Sequence, residues 1–284
     1  MIQPDPVLGF YGPGTLMWRI NREAVLLGAG PCALLLQIAH PLVAEGVAQH
    51  SRFQDDPFDR LRGTLKTTME LVFGNGRTAE GALRRLNGVH ATVRGYLADP
   101  EARRATGADA YRALDPDLLL WVQATLIVTS VQAYERWVAP LSAAERERFW
   151  QEARLVSPRM GIPADRSPQT WLELMAYWER TLAPDGPIQV TPTARALAPT
   201  IIRPPLPLVP GVLVDLVALP GLALLPPRIR EGFGIDWSAA MAQLARVEDR
   251  AVRAWVSIVP DDWRAMPQAR AANRRVRNAS AARP

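Results

Sequence analysis

The sequence predicts an all-α fold, organised as a single multi-helix globular domain. Apolar residues recur at spacings of three and four along most of the 284 residues, which is the period of amphipathic helices. No stretch of five or more residues alternates apolar and polar side chains convincingly, as a half-buried strand would. The loops are short enough for one domain. We expect a core over residues 10–260 and a basic tail over residues 266–284.

The first predicted helices lead to a histidine–proline pair. Thr15 is the expected N-cap of a helix that runs to residue 27, and the glycines of residues 28–30 should interrupt it. A nearly pure apolar helix over residues 31–39 should be buried on all sides. Pro41 removes a backbone donor, so the freed carbonyls and His40 beside them suit the wall of a pocket. Helical spacing predicts that His40 and His50 face the same side.

The next two helices carry the main candidate residues. The first starts at residues 55–57, where acids and a proline favour a helix N-terminus, and it places Arg60 and Thr64 on one face. Gly63 lies between them, where glycine costs about 1 kcal/mol relative to alanine. Close approach of a flat ligand or another helix would compensate.

The following helix should place His90 on a buried stripe. Thr78 is its expected N-cap, and the apolar residues step by three and four up to His90 and beyond. Gly88 and Gly95 flank His90 and should thin the surface near it. A buried histidine needs a hydrogen-bond partner or a metal.

The rest of the chain continues the helical pattern. Residues 115–117 open a long helix over 118–138 that is apolar almost all round and should be central, with Gln123 as a polar exception. Further helices are predicted at residues 143–156, 168–182, 193–201, parts of 208–225, and 237–258. The last twenty residues should form a frayed helix at most.

Composition limits the partners and the location. The net charge is +5, Lys66 is the only lysine, and most arginines alternate with acids, which is typical of solvated helix faces rather than a nucleic-acid surface. The arginines of the tail are the exception and could give weak contact with a membrane surface. The apolar stretch 204–227 is broken by prolines and contains Asp215, so it predicts no transmembrane segment. One cysteine and no signal peptide favour a cytoplasmic protein.

The residues exclude several kinds of catalytic site. A zinc site, a Gly-x-Ser-x-Gly nucleophile turn and the paired Glu-x-x-His motifs of a di-iron bundle lack the required residues or spacing. Cys32 is predicted to be a small core residue rather than a haem ligand. Haem needs one axial histidine and an apolar slot. On these grounds alone, a core histidine bonded to a carbonyl remains favoured over a haem ligand at position 90.

A set of motifs favours the haem ligand at position 90 instead, because together these motifs resemble the rubber-oxygenase and MpaB oxygenase family. The match follows the family's order over about residues 10–240. Its blocks are QIAHPLVA at 37–44, QHSRF at 49–53, DP at 56–57, RLxxT at 60–64, VHAxVRG at 89–95, YxAxDPxLLxWV at 111–122 and, more loosely, residues 228–237.

The resemblance implies an all-α protein of the haem-binding rubber-oxygenase type, with haem b as cofactor and O₂ as co-substrate. His90 would be the proximal iron ligand, with Arg60 and Thr64 on the distal side, where hydrogen-bond donors control bound O₂. Arg60 is also a candidate partner for a haem propionate. We assign His40 and Gln123 to the cofactor pocket as well.

The implied activity is oxidative cleavage of a carbon–carbon double bond, or related O₂ chemistry, on an apolar unsaturated small molecule. Two departures put the substrate in question: Gly63 replaces the lysine of latex-clearing proteins, and Gln123 replaces a histidine common in relatives. Glu45 lies where a polyisoprene-cleaving relative could place its base. The alternative hypothesis is a non-catalytic haem- or lipid-binding helical protein.

Overall fold

The long helix predicted at the centre of the chain is present and lies in the core. It is α7 (Pro116–Trp137), and the Asp115 carboxylate caps it by accepting from the Asp117 amide. Buried residues occur on all of its faces, as a helix surrounded by others requires. The Trp121 indole donates to the Leu36 carbonyl at 3.1 Å, which fixes α7 against the apolar helix α2 (Gly30–Ile38).

The computed structural model describes residues 3–50, 57–204 and 211–281, apart from the side chains of 57–62, 211–213 and 217. Sixteen α-helices lie in this part of the chain, most of them around one hydrophobic core. Besides α2 and α7 they are α1 (Leu16–Asn21), α3 (Pro41–His50), α4 (Pro57–Phe73), α5 (Gly76–Thr92), α6 (Pro100–Thr106), α8 (Ala143–Arg154), α9 (Ser157–Met160), α10 (Trp171–Leu182), α11 (Pro192–Ile202), α12 (Gly211–Leu224), α13 (Pro227–Gly232), α14 (Ala239–Ile258), α15 (Asp261–Arg264) and α16 (Pro267–Ala281).

The first predicted helix is divided in two. Thr15 caps α1 as expected, but α1 ends at Asn21, and a 3₁₀ helix over Ala24–Ala29 then leads into α2. The division occurs at Glu23, which adopts an extended conformation and forms a bridge with Ala265. The buried Glu23 carboxylate lies 3.0 Å from the Arg264 guanidinium. A contact with the far end of the chain therefore breaks the helix, and the glycines that were expected to break it do not.

A sharp bend follows at the histidine–proline pair. The segment Ala24–Ile38 and helix α3 (Pro41–His50) meet at 104°, because proline cannot continue the hydrogen-bond ladder of the preceding turn. Within the described residues, no single helix is long and apolar enough to cross a membrane. The two segments on either side of this bend have the length and composition of a membrane-spanning helix only when they are counted together.

Helices α4 and α5 form an antiparallel pair around a turn at Gly74 and Asn75. Asn75 caps α5 by accepting from the Thr78 amide at 2.9 Å. The prediction that Thr78 is the cap was therefore wrong by three residues, since the Asn75 side chain satisfies the amide three positions on, as an N-cap does.

Two short strands were not predicted. β1 (Arg94–Tyr96) pairs antiparallel with β2 (Ala110–Arg112). Three residues each are too few to establish an alternating pattern in the sequence. Gly95 belongs to β1 and not to the helix of His90, and a Cβ at this position would lie 2.7 Å from the Tyr111 hydroxyl oxygen. Glycine is needed here for close packing of the strand pair.

The basic tail is part of the folded body. Helix α16 buries Ala269 and Ala272, and the Arg275 guanidinium donates to the backbone carbonyls of Val7 and Phe73. The expectation of a frayed helix was wrong, because small side chains and one inward-pointing arginine let this polar segment pack against the N-terminus and α4.

Candidate functional site

The α4–α5 pair determines where the candidate haem residues lie. Each helix has 17 residues, and the turn between them is short, so residues equally distant from the turn lie at the same level. Arg60 and His90 are therefore both at the open end of the pair, and Thr64 lies one turn closer to the connection. The fold brings these three positions together, although the side chain of Arg60 lies outside the described part of the structure.

His90 occupies the last turn of α5. Its side chain is half-buried, whereas Leu83 on the same helix is fully buried. The predicted buried stripe thus becomes shallower towards the end of the helix. The negative end of a helix dipole lies here, and it favours positive charge such as that of a metal ion on the imidazole. The Asn87 amide donates to the Arg159 carbonyl at 2.8 Å and anchors this end of α5 to α9.

The surfaces beside these residues are open. A Cβ added to Gly63 on α4 or to Gly88 on α5 would meet no atom within 4 Å. Among the described residues, therefore, no other helix approaches Gly63. Gly88 lies two residues before His90 and so on another side of α5, which leaves the imidazole at the helix end as the feature of this pair that suits an iron porphyrin. The described residues contain no cluster of three or more histidine, cysteine or acidic side chains able to hold a metal ion, and a porphyrin iron needs only one protein ligand.

His40 is buried at the bend between α2 and α3. Its Nδ1 accepts from the Leu42 amide at 3.3 Å, so a neutral ring carries its proton on Nε2. Burial lowers the pKa of His40 to about 4, and the nearby Asp115 carboxylate only partly opposes this effect. His40 is therefore a neutral hydrogen-bond donor at physiological pH.

His50 differs from His40 in its surroundings. It is exposed at the end of α3, with Nε2 3.0 Å from the Arg94 carbonyl and its ring edge against Tyr111. The prediction that the two histidines face the same side was wrong. His40 is buried at the bend, whereas His50 is exposed at the far end of α3.

A buried polar network around Glu45 was missed by the sequence reasoning. Its carboxylate accepts from the Gln49 amide and the Ala98 backbone, both at 2.8 Å, and from the Thr193 hydroxyl at 2.7 Å. Asp99 also contacts Thr193, through the backbone amide and the hydroxyl, both at 3.1 Å. These contacts join α3 to the connection before α6 and to α11.

The two carboxylates of this network are held as hydrogen-bond acceptors. Burial acts to raise the pKa of Asp99, but hydrogen bonds from Thr193 and Glu101 outweigh it and hold the pKa below its usual range. Glu45 is almost completely buried and accepts three hydrogen bonds, which suits a structural role better than that of a catalytic base. Thr193 lies 148 residues after Glu45, so no local spacing in the sequence could have indicated the pair.

Gln123 is buried on α7 and joins three helices. Its Oε1 accepts from the Ser157 hydroxyl at 2.9 Å, and its Nε2 donates to the Ala153 carbonyl at 3.3 Å. These contacts explain the polar residue in an apolar helix without a cofactor. The other core candidate behaves as predicted: Cys32 is fully buried, and burial raises the pKa of its thiol to about 12, which disfavours a thiolate ligand.

Two cavities in the described structure lie away from His90. One of about 560 Å³ lies between the C-terminal ends of α7 and α14. The other, of about 380 Å³, lies beside α1 and α8. Neither is lined by His40, Thr64 or His90. The candidate site is thus defined by the placement of α4 and α5 and by His90.

Comparisons with known proteins agree with the fold class. The model of the family described as "ER-bound oxygenase mpaB/B'/Rubber oxygenase, catalytic domain" matches residues 17–261. Uncharacterized proteins of Mycobacterium bovis and Mycobacterium tuberculosis are each 28% identical over 244 residues, covering 79% of this chain and 90% of theirs. No solved structure matches the chain.

Proposed function

Because this chain belongs to the family of ER-bound oxygenase mpaB/B' and rubber-oxygenase catalytic domains, we propose that it is a haem b-dependent oxygenase. Its co-substrate would be O₂, and its substrate an apolar, unsaturated small molecule. The observation that carries the proposal is the α4–α5 pair, which brings the Arg60 and His90 positions to one end of two packed helices, with the Thr64 position one turn further along α4.

His90 would hold the iron through its imidazole, on the last turn of α5. A bound haem supplies the capacity to bind and activate O₂. Arg60 and Thr64 would be the hydrogen-bond donors of the O₂ site, and such donors decide whether O₂ is held or activated. The guanidinium of Arg60 is equally suited to a haem propionate.

The neighbouring residues would shape the pocket. A neutral His40 offers an Nε2 proton without adding charge to an apolar wall. Glu45 and Gln123 would support the site indirectly, because their polar atoms already join helices. Gly63, in place of the relatives' lysine, leaves the distal side open to a bulky apolar substrate.

An absorbance spectrum tests the cofactor. Protein produced with an ample haem supply should show a Soret band, and His90→Ala should lose or strongly shift it. His50→Ala is the matched control, because His50 is exposed on α3, and its spectrum should equal that of the unaltered protein. A missing Soret band, or one unchanged in His90→Ala, would refute the haem assignment.

Oxygen uptake tests the reaction. With alkene substrates of terpenoid or polyisoprene type, Arg60→Ala and Thr64→Ala should each lower turnover at least tenfold, in the range expected for loss of one positioned donor. Lys66→Ala changes an exposed basic residue on the same helix and should leave turnover intact. A stable haem spectrum without O₂ consumption would instead support the alternative of a non-catalytic haem- or lipid-binding protein.

A further inference from the structure

Helix α14 carries an apolar stripe that faces away from the protein. Leu244, Val247 and Trp255 are 42–48% exposed, and Ile258 is 80% exposed. Their spacings of three, eight and three residues place them on one side of a helix. A surface helix normally turns such a side towards the core, so this stripe needs an explanation.

The stripe is not the side by which α14 packs. Ala245 and Val256 are buried on another side of the helix. Near them, the Asp249 carboxylate accepts from the Arg136 guanidinium and from the Trp137 indole, both at 2.8 Å. These contacts fix the rotation of α14 against α7 and leave the stripe outward.

Within α14, the exposed charge beside the stripe is of one sign. Arg246 and Arg250 are exposed and lie on one flank of the stripe, whereas Arg253 donates to the Arg136 carbonyl and belongs to the packed side. On α15, the exposed acids Asp261 and Asp262 follow, and Asp261 is paired with Arg22 and Arg264. Within α14, which is described over its whole length, the acids are Glu248 and Asp249. Asp249 is bound to Arg136, and both carboxylate oxygens of Glu248 are buried. The outer surface of α14 therefore combines apolar side chains with two exposed arginines, Arg246 and Arg250, on one flank.

We propose that α14 binds the surface of an anionic lipid bilayer, lying parallel to it with the stripe in the boundary between headgroups and acyl chains. An apolar face flanked by arginine is the pattern of an interfacial helix, and tryptophan is enriched at that depth. Trp255 lies within the stripe, and Trp263 follows on α15 with 80% of its surface exposed. The arginines would be attracted by the negative potential of the headgroups.

Charge favours a bilayer over a second copy of the chain. Antiparallel pairing of two α14 helices about a two-fold axis would place the same flank of each helix together, and with it Arg246 and Arg250 of both copies. Like charges in that position oppose association, whereas the same two arginines are favourable against anionic headgroups. The arginines of α16 are a weaker candidate, because the buried side of that helix and Arg275 hold it to the body.

Vesicle sedimentation of the full-length protein tests the proposal. Binding to vesicles of phosphatidylcholine with phosphatidylglycerol should exceed binding to phosphatidylcholine alone and should weaken with added salt. Ile258→Gln should lower the partition coefficient about tenfold, and Arg250→Gln roughly fivefold on the anionic vesicles. The assay needs no turnover, so its outcome is independent of the proposed oxygenase function.

Matched controls are available. Leu172 on α10 is 79% exposed, so Leu172→Gln removes an equally exposed apolar side chain elsewhere. Arg274→Gln removes an exposed arginine of α16. Both should bind as the unaltered protein does. The proposal is overturned if Ile258→Gln binds undiminished, if binding ignores lipid charge, or if light scattering shows a dimer that Ile258→Gln dissociates.

Discussion

Replacing Glu45 separates its structural role from a catalytic one. In Glu45→Ala, the Gln49 amide keeps the Tyr96 carbonyl at 2.9 Å, and Thr193 keeps Asp99 at 3.1 Å. The amide of residue 98 loses the carboxylate that accepts its proton. The loss of this part-buried hydrogen bond and the weakening of the other two cost about 1 kcal/mol each. We therefore expect the free energy of unfolding to fall by about 3 kcal/mol.

The conservative variant should behave differently. In Glu45→Gln, the amide oxygen accepts from Gln49 and from residue 98, and the new NH₂ donates to the Thr193 hydroxyl, which then donates to Asp99. Every member of the network keeps a partner, so we expect a loss below about 1 kcal/mol. Urea unfolding followed by far-UV circular dichroism measures both variants, with Glu179→Ala on the exposed side of α10 as the control.

Two results would refute this reasoning. Equal destabilisation by Gln and Ala would show that the charge of residue 45, and not hydrogen-bond satisfaction, holds α3 and α11 together. A Glu45→Gln protein that is fully stable and binds haem but consumes no O₂ would identify Glu45 as a catalytic base after all.

Three further predictions concern buried groups elsewhere. His40 has a pKa of about 4 when folded, against 6.5 for the free side chain, so it stabilises the fold above pH 6.5. About 3 kcal/mol of the free energy of unfolding should be lost as the pH falls to 4, and denaturant melts of His40→Leu should not show this dependence on pH. Burial raises the pKa of Glu248 to about 7, with Asp249 adding to the effect, so stability should decline as the pH rises from 4.5 to 7; Glu248→Gln should remove that decline, and an unchanged pH profile would contradict the assignment. Asp249→Ala leaves Arg136 and Trp137 unpaired and should cost about 3 kcal/mol, with faster amide exchange in α14; Asp249→Asn should cost less.

Local rules predicted the elements that depend on local sequence. The span of α7 follows from an acid–proline start and apolar residues on all sides, and α2 from a run of apolar residues. The Thr15 cap was correct because an N-cap bonds only to its own first turn. The fold class was therefore accessible from the sequence alone.

Apart from the cap of α5, where Asn75 and not Thr78 accepts from the first turn, the errors share a physical cause, since they depend on residues distant in the chain. The helix break at Glu23 requires Arg264. The short strands exist because β1 and β2 meet across α6. The inward packing of α16 requires carbonyls of Val7 and Phe73. For the candidate site, helix periodicity predicted Arg60 and Thr64 on one face of a helix and His90 on the next helix, while the exposure of His50 and the Glu45 network depended on packing that no spacing reveals.

The two ends of the described chain are fastened to each other, and this has a consequence for synthesis. The Glu23 carboxylate is buried against Arg264, and the amide of Met266 donates to the Arg22 carbonyl at 2.8 Å. Before position 264 is synthesised, the Glu23 carboxylate has Arg22 at 3.6 Å but lacks the closer Arg264, and burying a charge without its close partner is unfavourable. We therefore expect the segment around Glu23 to stay hydrated until the residues through Met266 have been made. Ribosome-bound chains halted before position 264 should remain protease-sensitive at their N-termini, whereas released chains should not.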